Sequence, residues 1–187
     1  MRITSGIFKS RIMGAPKGIR PTLDNVRKAI FDILGEAVKG AKVLDLFAGS
    51  GALGIEALSR GAASCAFIDN SRASVRTIKD NLEALGLGRT PSAEVIYADS
   101  LAAIGRLAGD KASFDLILMD PPYYREMAKK SLSLLGSCDI LAETGVAVIE
   151  HSKHDSMPGS SGNLKLLRTA RYGDTLVSFY RRDQDKS

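Results

Sequence analysis

The chain has 187 residues, enough for one domain with a substantial core, and its 44% hydrophobic and 25% charged content is ordinary for a globular protein in water. No apolar run reaches the roughly 18 residues that a membrane helix needs, and Lys9, Arg11 and Lys17 break up any signal-peptide core, so a cytoplasmic protein with no membrane partner is expected. The net charge of +5 is unevenly placed: residues 1–28 hold seven basic residues against Asp24, a balance of +6, and the remainder carries 19 basic and 20 acidic residues, a balance of −1.

Segregation of that kind predicts a polyanion-facing arm, with Arg2, Lys9, Arg11, Lys17 and Arg20 as its cations. Residues 2–13 alternate Ile3, Ile7, Phe8 and Ile12 with polar residues around Gly6, which predicts a short hairpin or extended arm. The competing role for this stretch is to cover a sheet edge or a core face. Residues 14–18 form a loop, and Thr22 can cap a helix whose apolar face is Val26, Ala29, Ile30, Ile33 and Leu34, ending at Gly35 or Gly40. Strands and helices then alternate: strand 42–47, helix 51–60, strand 64–69, helix 71–85, strand 93–97, helix 100–108, strand 114–119, helix 124–136 and strand 145–150. Such alternation predicts an α/β fold, doubly wound around a mostly parallel sheet. His154 to Asn163, rich in Ser, Gly and Pro, reads as a mobile loop. Leu164–Tyr172 and Thr175–Arg181 read as a terminal antiparallel hairpin turning at Gly173-Asp174. One domain spans 1–187, divided into the basic arm (1–21) and an α/β core (22–187).

Two motifs carry the chemistry. Gly49, Gly51 and Gly54 follow the strand 42–47 in a G-x-G-x-x-G pattern, which alone is a weak sign of a nucleotide-binding turn. Its surroundings argue against a dinucleotide. Asp45 places an acid at the mouth of the pocket, where a pyrophosphate would be repelled and a ligand bearing an ammonium and a sulfonium would be accepted. Asp69 ends the next strand, where a carboxylate accepts hydrogen bonds from ribose hydroxyls, with Asn70 beside it. The result describes an adenosyl pocket without phosphates.

The second motif is Asp120-Pro121-Pro122-Tyr123, at the end of the apolar run Phe114–Met119. Two prolines impose a rigid exit and supply no N–H. They leave two acceptors, the Asp120 carboxylate and the Pro121 carbonyl, next to the aromatic face of Tyr123, with Tyr124 as a further candidate for stacking. That set suits an exocyclic amine on a flat base; its competitor is a plain strand exit with a partly buried tyrosine. Cys65 and Cys138 form no C-x-x-C and read as reduced structural thiols. His151 and His154 lack a metal-ligand pattern and read as surface or edge residues, so no metal site is expected.

Asp45-Leu46-Phe47-Ala48-Gly49-Ser50-Gly51 resembles the first motif of class I S-adenosylmethionine-dependent methyltransferases, and Asp120-Pro121-Pro122-Tyr123 resembles the catalytic motif of those acting on exocyclic amines of nucleobases. With Arg2-Ile3-Thr4-Ser5-Gly6 and Ile19-Arg20-Pro21-Thr22, essentially the whole chain is similar to the bacterial 16S rRNA guanine-N2 methyltransferases, the RsmD family. The resemblance implies a Rossmann-like, seven-stranded sheet closed by a C-terminal antiparallel hairpin. The cofactor would be S-adenosylmethionine, held by Asp45, Phe47, Gly49, Gly51, Asp69, Asn70, Asp99 and Ser100, with Asp99 taking the adenine amine. A helix cap is the competing role for Asp69 and Asp99, since Ser71 and Ser100 follow. Asp120, Pro121 and Tyr123 would carry the chemistry, and Arg2, Lys9, Arg11, Lys17, Arg20, Thr22, Pro122 and Tyr124 would meet RNA. The expected partner is 16S rRNA or a partly assembled small subunit, bound by a monomer. The residues leave open an adenine-N6 or cytosine-N4 methyltransferase on DNA or other RNA, a nicotinamide-dependent oxidoreductase, and a non-catalytic RNA-binding assembly factor.

Overall fold

The computed structural model describes residues 1–16, 24–122 and 126–183. Lys17, Arg20, Thr22, Tyr123 and Tyr124 lie outside the described residues. Five helices and eight strands are described: α1 (Asp24–Leu34), β1 (Lys42–Leu46), α2 (Ala52–Ser59), β2 (Ser64–Asp69), α3 (Arg72–Ala84), β3 (Ala93–Tyr97), α4 (Ser100–Gly109), β4 (Phe114–Met119), α5 (Met127–Ser137), β5 (Leu141–Ser152), β6 (Ser160–Ser161), β7 (Leu164–Tyr172) and β8 (Thr175–Arg182). A 3₁₀ turn, Gly35–Val38, continues α1. The strands form one sheet in the order β3-β2-β1-β4-β5-β8-β7-β6. The first five strands in that order run parallel, and β8, β7 and β6 are antiparallel.

Period-two alternation divides the core between the two sheet faces. Val43, Cys65, Phe67, Leu116, Leu118 and Val148 point to one face, where α1, α2 and α3 cover them. Leu44, Leu46, Ile68, Ile117, Met119 and Ile149 point to the other, beneath α4 and α5. The central strands are covered twice over, so they read as mostly apolar runs, interrupted by Asp45 and Asp115, rather than alternating ones.

The seven expected strands are present, and the differences are local. β5 begins at Leu141, before the predicted 145, and pairs with β4 through a register shift between Phe114 and Leu116. The segment expected to be a mobile loop is tied down instead. Its residues Ser160–Ser161 form β6 against Leu164 and Lys165, and the Tyr180 hydroxyl donates to the Pro158 carbonyl at 2.7 Å. His151 corrects the surface reading. It lies on β5 beside β8, 1% exposed, with Nε2 2.9 Å from the Ser178 hydroxyl. Desolvation holds its imidazole below the usual value. His154 is exposed, as expected.

Residues 1–13 form a narrow hairpin, bridged antiparallel at Arg2 and Ile12. Ile3 and Met13 belong to the core, while Ile7 and Ile12 are bare to solvent. The hairpin is latched to α2. Glu56 accepts from the Thr4 and Ser5 amides at 2.8 and 3.0 Å and from the Thr4 hydroxyl at 2.6 Å. The Ile7 amide donates to the Ser59 carbonyl at 2.8 Å. Only glycine fits at position 6, where φ is +82° and a Cβ would lie 1.7 Å from the Ser59 oxygen.

Candidate active site

Chain order reverses between β1 and β4, the point at which α/β sheets open a crevice beyond their carboxyl ends. Leu46 is in register with Ile68 on one side and Met119 on the other. The next residue of each strand end is therefore Phe47, Asp69 and Asp120, side by side. Strands lie about 4.8 Å apart, so the Asp69 and Asp120 backbones flank Phe47 at a separation of roughly 10 Å. The glycine loop and the Asp-Pro-Pro exit, remote in sequence, thus meet at one rim.

The loop after β1 takes a left-handed turn three times, at Phe47 (φ 61°), Gly49 (φ 57°) and Gly51 (φ 77°). Phe47 is the costly one, since a side chain there is strained by about 1–3 kcal/mol unless its surroundings hold it. They do: its amide donates to the Ser100 hydroxyl at 3.2 Å, and the Ala48 amide donates to the Ile68 carbonyl at 3.0 Å. Ser100 is 2% exposed, which makes it a support of the loop as well as a neighbour of the crevice. Asp69 also fixes the loop. Its Oδ2 accepts from the Gly49 amide at 2.8 Å and its Oδ1 from the Ser71 amide at 2.8 Å. Each oxygen retains a second lone pair for a ligand hydroxyl. The cap of α3 is Ser71 rather than Asp69. Asp99 does cap α4, its Oδ1 accepting from the Ala102 amide at 2.9 Å, while the residue remains exposed. Asn70 is exposed at the rim.

Asp45 is displaced from where the sequence put it. It lies beneath the glycine loop, 1% exposed, and its Oδ2 accepts from the Gly54 amide in the first turn of α2 at 2.9 Å. Desolvation pushes its carboxyl well above the usual range, against the Gly54 hydrogen bond, and the nearby Asp120 and Asp69 push it further. At Gly54 an added Cβ would lie 2.3 Å from the Phe67 ring, so the third glycine of the motif sets helix against strand. On the other wall, Asp120 is half-buried, Pro121 buried and Pro122 exposed.

The rim positions Phe47, Gly49, Gly51, Asp69 and Asp99 offer carboxylates, backbone groups and one aromatic ring, and the nearby Arg72 guanidinium stacks on Tyr97, which is in register with Asp69. That donor set fits a ligand with hydroxyls, an amine and positive charge, and fits a pyrophosphate poorly. Among the described residues, no group of three or more His, Cys, Asp or Glu is placed to hold a metal ion.

Of the arm's expected cations, Arg2, Lys9 and Arg11 are exposed. Arg27, which contributed to the N-terminal charge excess, is corrected: it is wholly buried, with Nε 3.3 Å from Glu56 and Nη2 3.0 Å from Asp24. Two residues that sequence reasoning passed over organise this region. Glu56 is the acid in a helix buried along its whole length, a signal that it must have partners. Asn81 lies on the α3 face shared by Ser74, Ile78 and Leu82, an amide where periodicity calls for an apolar residue.

Comparison with known proteins agrees with this architecture. A family model described as conserved hypothetical protein 95 matches residues 1–181. The YlbH protein of Bacillus subtilis, provisionally named an rRNA methyltransferase, is 40% identical over 97% of this chain and 99% of its own. The ribosomal RNA small subunit methyltransferase D of Escherichia coli K12 is 32% identical over 98% of this chain and 90% of its own. A solved Escherichia coli structure, the yhhF protein, provisionally named a methyltransferase, superposes with a TM-score of 0.82 at 30% identity, covering 98% of each chain. Matched nearly end to end, the chain belongs to the conserved hypothetical protein 95 family, that of the bacterial small-subunit rRNA methyltransferase D proteins.

Proposed function

We propose that the protein transfers the methyl group of S-adenosylmethionine to the exocyclic N2 amine of a guanine in small-subunit rRNA. The observation that carries this reading is the meeting of the glycine loop and the Asp120-Pro121-Pro122 exit at the β1–β4 switch point. Family membership supports the cofactor, the reaction and the RNA class.

In this reading the Gly49–Gly51 backbone and Phe47 close on the cofactor, with Asp45 holding the loop from below. Asp69 accepts from the ribose hydroxyls with Asn70 beside it, and Asp99 accepts from the adenine amine near Ser100. When bound, S-adenosylmethionine supplies a methyl group on a sulfonium, a leaving group already activated, so the protein's task is positioning. The target amine is a poor nucleophile because its lone pair is delocalised into the base. Accepting its two N–H groups at the Asp120 carboxylate and the Pro121 carbonyl favours a pyramidal nitrogen with a localised lone pair. A hydrogen bond to a charged acceptor contributes about 1.5–3 kcal/mol. Tyr123, between Pro122 and Tyr124 in sequence, supplies an aromatic ring for stacking, worth about 1–3 kcal/mol per base. Arg2, Lys9 and Arg11, with Lys17, Arg20 and Thr22 following, form an RNA-facing arm on the catalytic core. The protein acts as a monomer in the cytoplasm; among the described residues no helix is long and apolar enough to cross a membrane.

Nucleosides from unmodified 16S rRNA incubated with enzyme and methyl-labelled cofactor should contain labelled N2-methylguanosine. Labelled N6-methyladenosine or N4-methylcytidine would reassign the base, and no transfer to naked or particle-bound rRNA would overturn the reading. Asp120→Ala should lower turnover by two or more orders of magnitude with a much smaller change in S-adenosylhomocysteine affinity.

A further inference from the structure

The arm and the cofactor loop share a side chain. Asn81, on α3, is 6% exposed. Its Oδ1 accepts from the Gly14 amide at 2.8 Å, and its Nδ2 donates to the Gly14 carbonyl at 3.1 Å and to the Ser50 carbonyl at 3.0 Å. Gly14 is where the hairpin ends and the chain leaves toward residues 17–23; Ser50 lies between the two glycines of the cofactor loop. The orientation of the amide is fixed by its partners, since a reversed amide would set an oxygen against two carbonyls and an NH₂ against an N–H. A second contact ties the same two segments: the Ser50 hydroxyl lies 3.5 Å from the Met1 sulfur. Around them Ile3 and Met13 pack in one cluster with Ala48, Ala52 and Leu53, which flank the loop.

We infer that Asn81 is a positioning residue that couples the basic arm to the cofactor loop, so that RNA and S-adenosylmethionine each bind more tightly in the presence of the other. The inference rests on the proposed function. Whatever fixes the loop around Ser50 fixes the Asn81 amide, and that amide holds both backbone groups of Gly14. Ordering by one ligand thereby lowers the cost of ordering for the second, and linkage requires the effect to be equal in both directions. Other ties between arm and core run to Glu56 and Ser59 on α2, to Arg27 and to the Ala84 carbonyl, away from the loop; beside the long Met1–Ser50 contact, the Asn81 bridge is the one that joins arm and loop through hydrogen bonds of 3.1 Å or less.

The quantity to measure is the coupling factor: the dissociation constant of an unmodified 16S rRNA transcript without S-adenosylhomocysteine divided by that with it at saturation. The reverse ratio, for S-adenosylhomocysteine without and with transcript, checks it. In the native protein both ratios should agree at about fivefold or more. In Asn81→Ala both should fall below twofold. A purely structural role would lower the melting temperature or both affinities and leave the ratio unchanged, and that result would overturn the inference. Gly14→Pro removes the N–H from the arm side of the bridge and sets the proline Cδ against the Asn81 oxygen, so it breaks the bridge from the arm with α3 unchanged in sequence, and should reduce the ratio in the same way; it decides the matter if Asn81→Ala does not fold. A ratio of one in the native protein also overturns the coupling. The methyltransferase reading fails separately, by absence of cofactor binding or of methyl transfer in the native protein.

Discussion

Burial takes the Asp45 carboxylate out of water, and a single hydrogen bond from Gly54 restores only part of its solvation. Its folded-state pKa therefore lies well above 3.8. The sign follows from proton counting. Between 3.8 and the raised value the folded protein keeps a proton that the unfolded chain has lost. Stability is thus fully present below the ordinary carboxylate value and falls, by about 1.4 kcal/mol per pH unit, until pH passes the folded pKa. Asp45→Asn keeps an oxygen for the Gly54 amide and removes the titration. Urea unfolding between pH 4 and 8 should show a shallower loss of stability in the variant, and identical slopes would reject this account. The example shows how far residues are legible from sequence. Asp45, Asp69 and Asp120 stand out as acids at strand ends, yet whether an acid lies at the mouth or under the loop depends on where α2 begins. Asn81 and His151 carry no motif; their roles come from partners 67 and 27 residues away in the chain.

At the scale of elements, alternating strands and helices gave the sheet because apolar periodicity is set locally. The missed details are tertiary. The early start of β5 depends on a register shift against β4, and β6 on a turn that returns to β7. The arm is legible as a hairpin, with the covering of a core face as the competing role, and the structure shows that it packs on the core through Ile3 and Met13. Its alternating isoleucines divide unequally: Ile3 is buried, whereas Ile7 is 80% and Ile12 76% exposed. What seats it is the close approach at Gly6, and that gives a sharp test. Gly6→Ala places a methyl group 1.7 Å from the Ser59 oxygen at a φ of +82°, so either the arm lifts from α2 or the helix end shifts. A cost of roughly 2–3 kcal/mol would lower the melting temperature by about 5–10 °C in a domain of this size. A variant melting within a degree of the native protein would show the latch to be dispensable.

For the whole molecule, the sheet places the cofactor loop and the Asp120 exit at one rim, while the arm runs from Gly14 beside Asn81 near that rim to a tip on Ser59 at the opposite end of α2, and its exposed charges decide where RNA is met. The N-terminal excess is smaller in space than in sequence. Arg27 is buried against Glu56 and also pairs with the half-exposed Asp24, and Lys28 pairs with Asp32 at 2.6 Å. Arg2, Lys9 and Arg11 remain exposed, with Lys17 and Arg20 beyond them in sequence. Four or five phosphate contacts at about −0.7 each give a slope of log affinity against log salt of roughly −3. Lys9 and Arg11 are surface residues, so replacing both with Glu should change stability little. The slope should then shrink by about half, with affinity for S-adenosylhomocysteine alone retained. Ile3 and Met13 already give the arm a packing role, and packing by itself predicts an unchanged slope. The double variant separates the two: a slope that stays near −3 would confine the arm to packing and move the RNA surface elsewhere on the molecule.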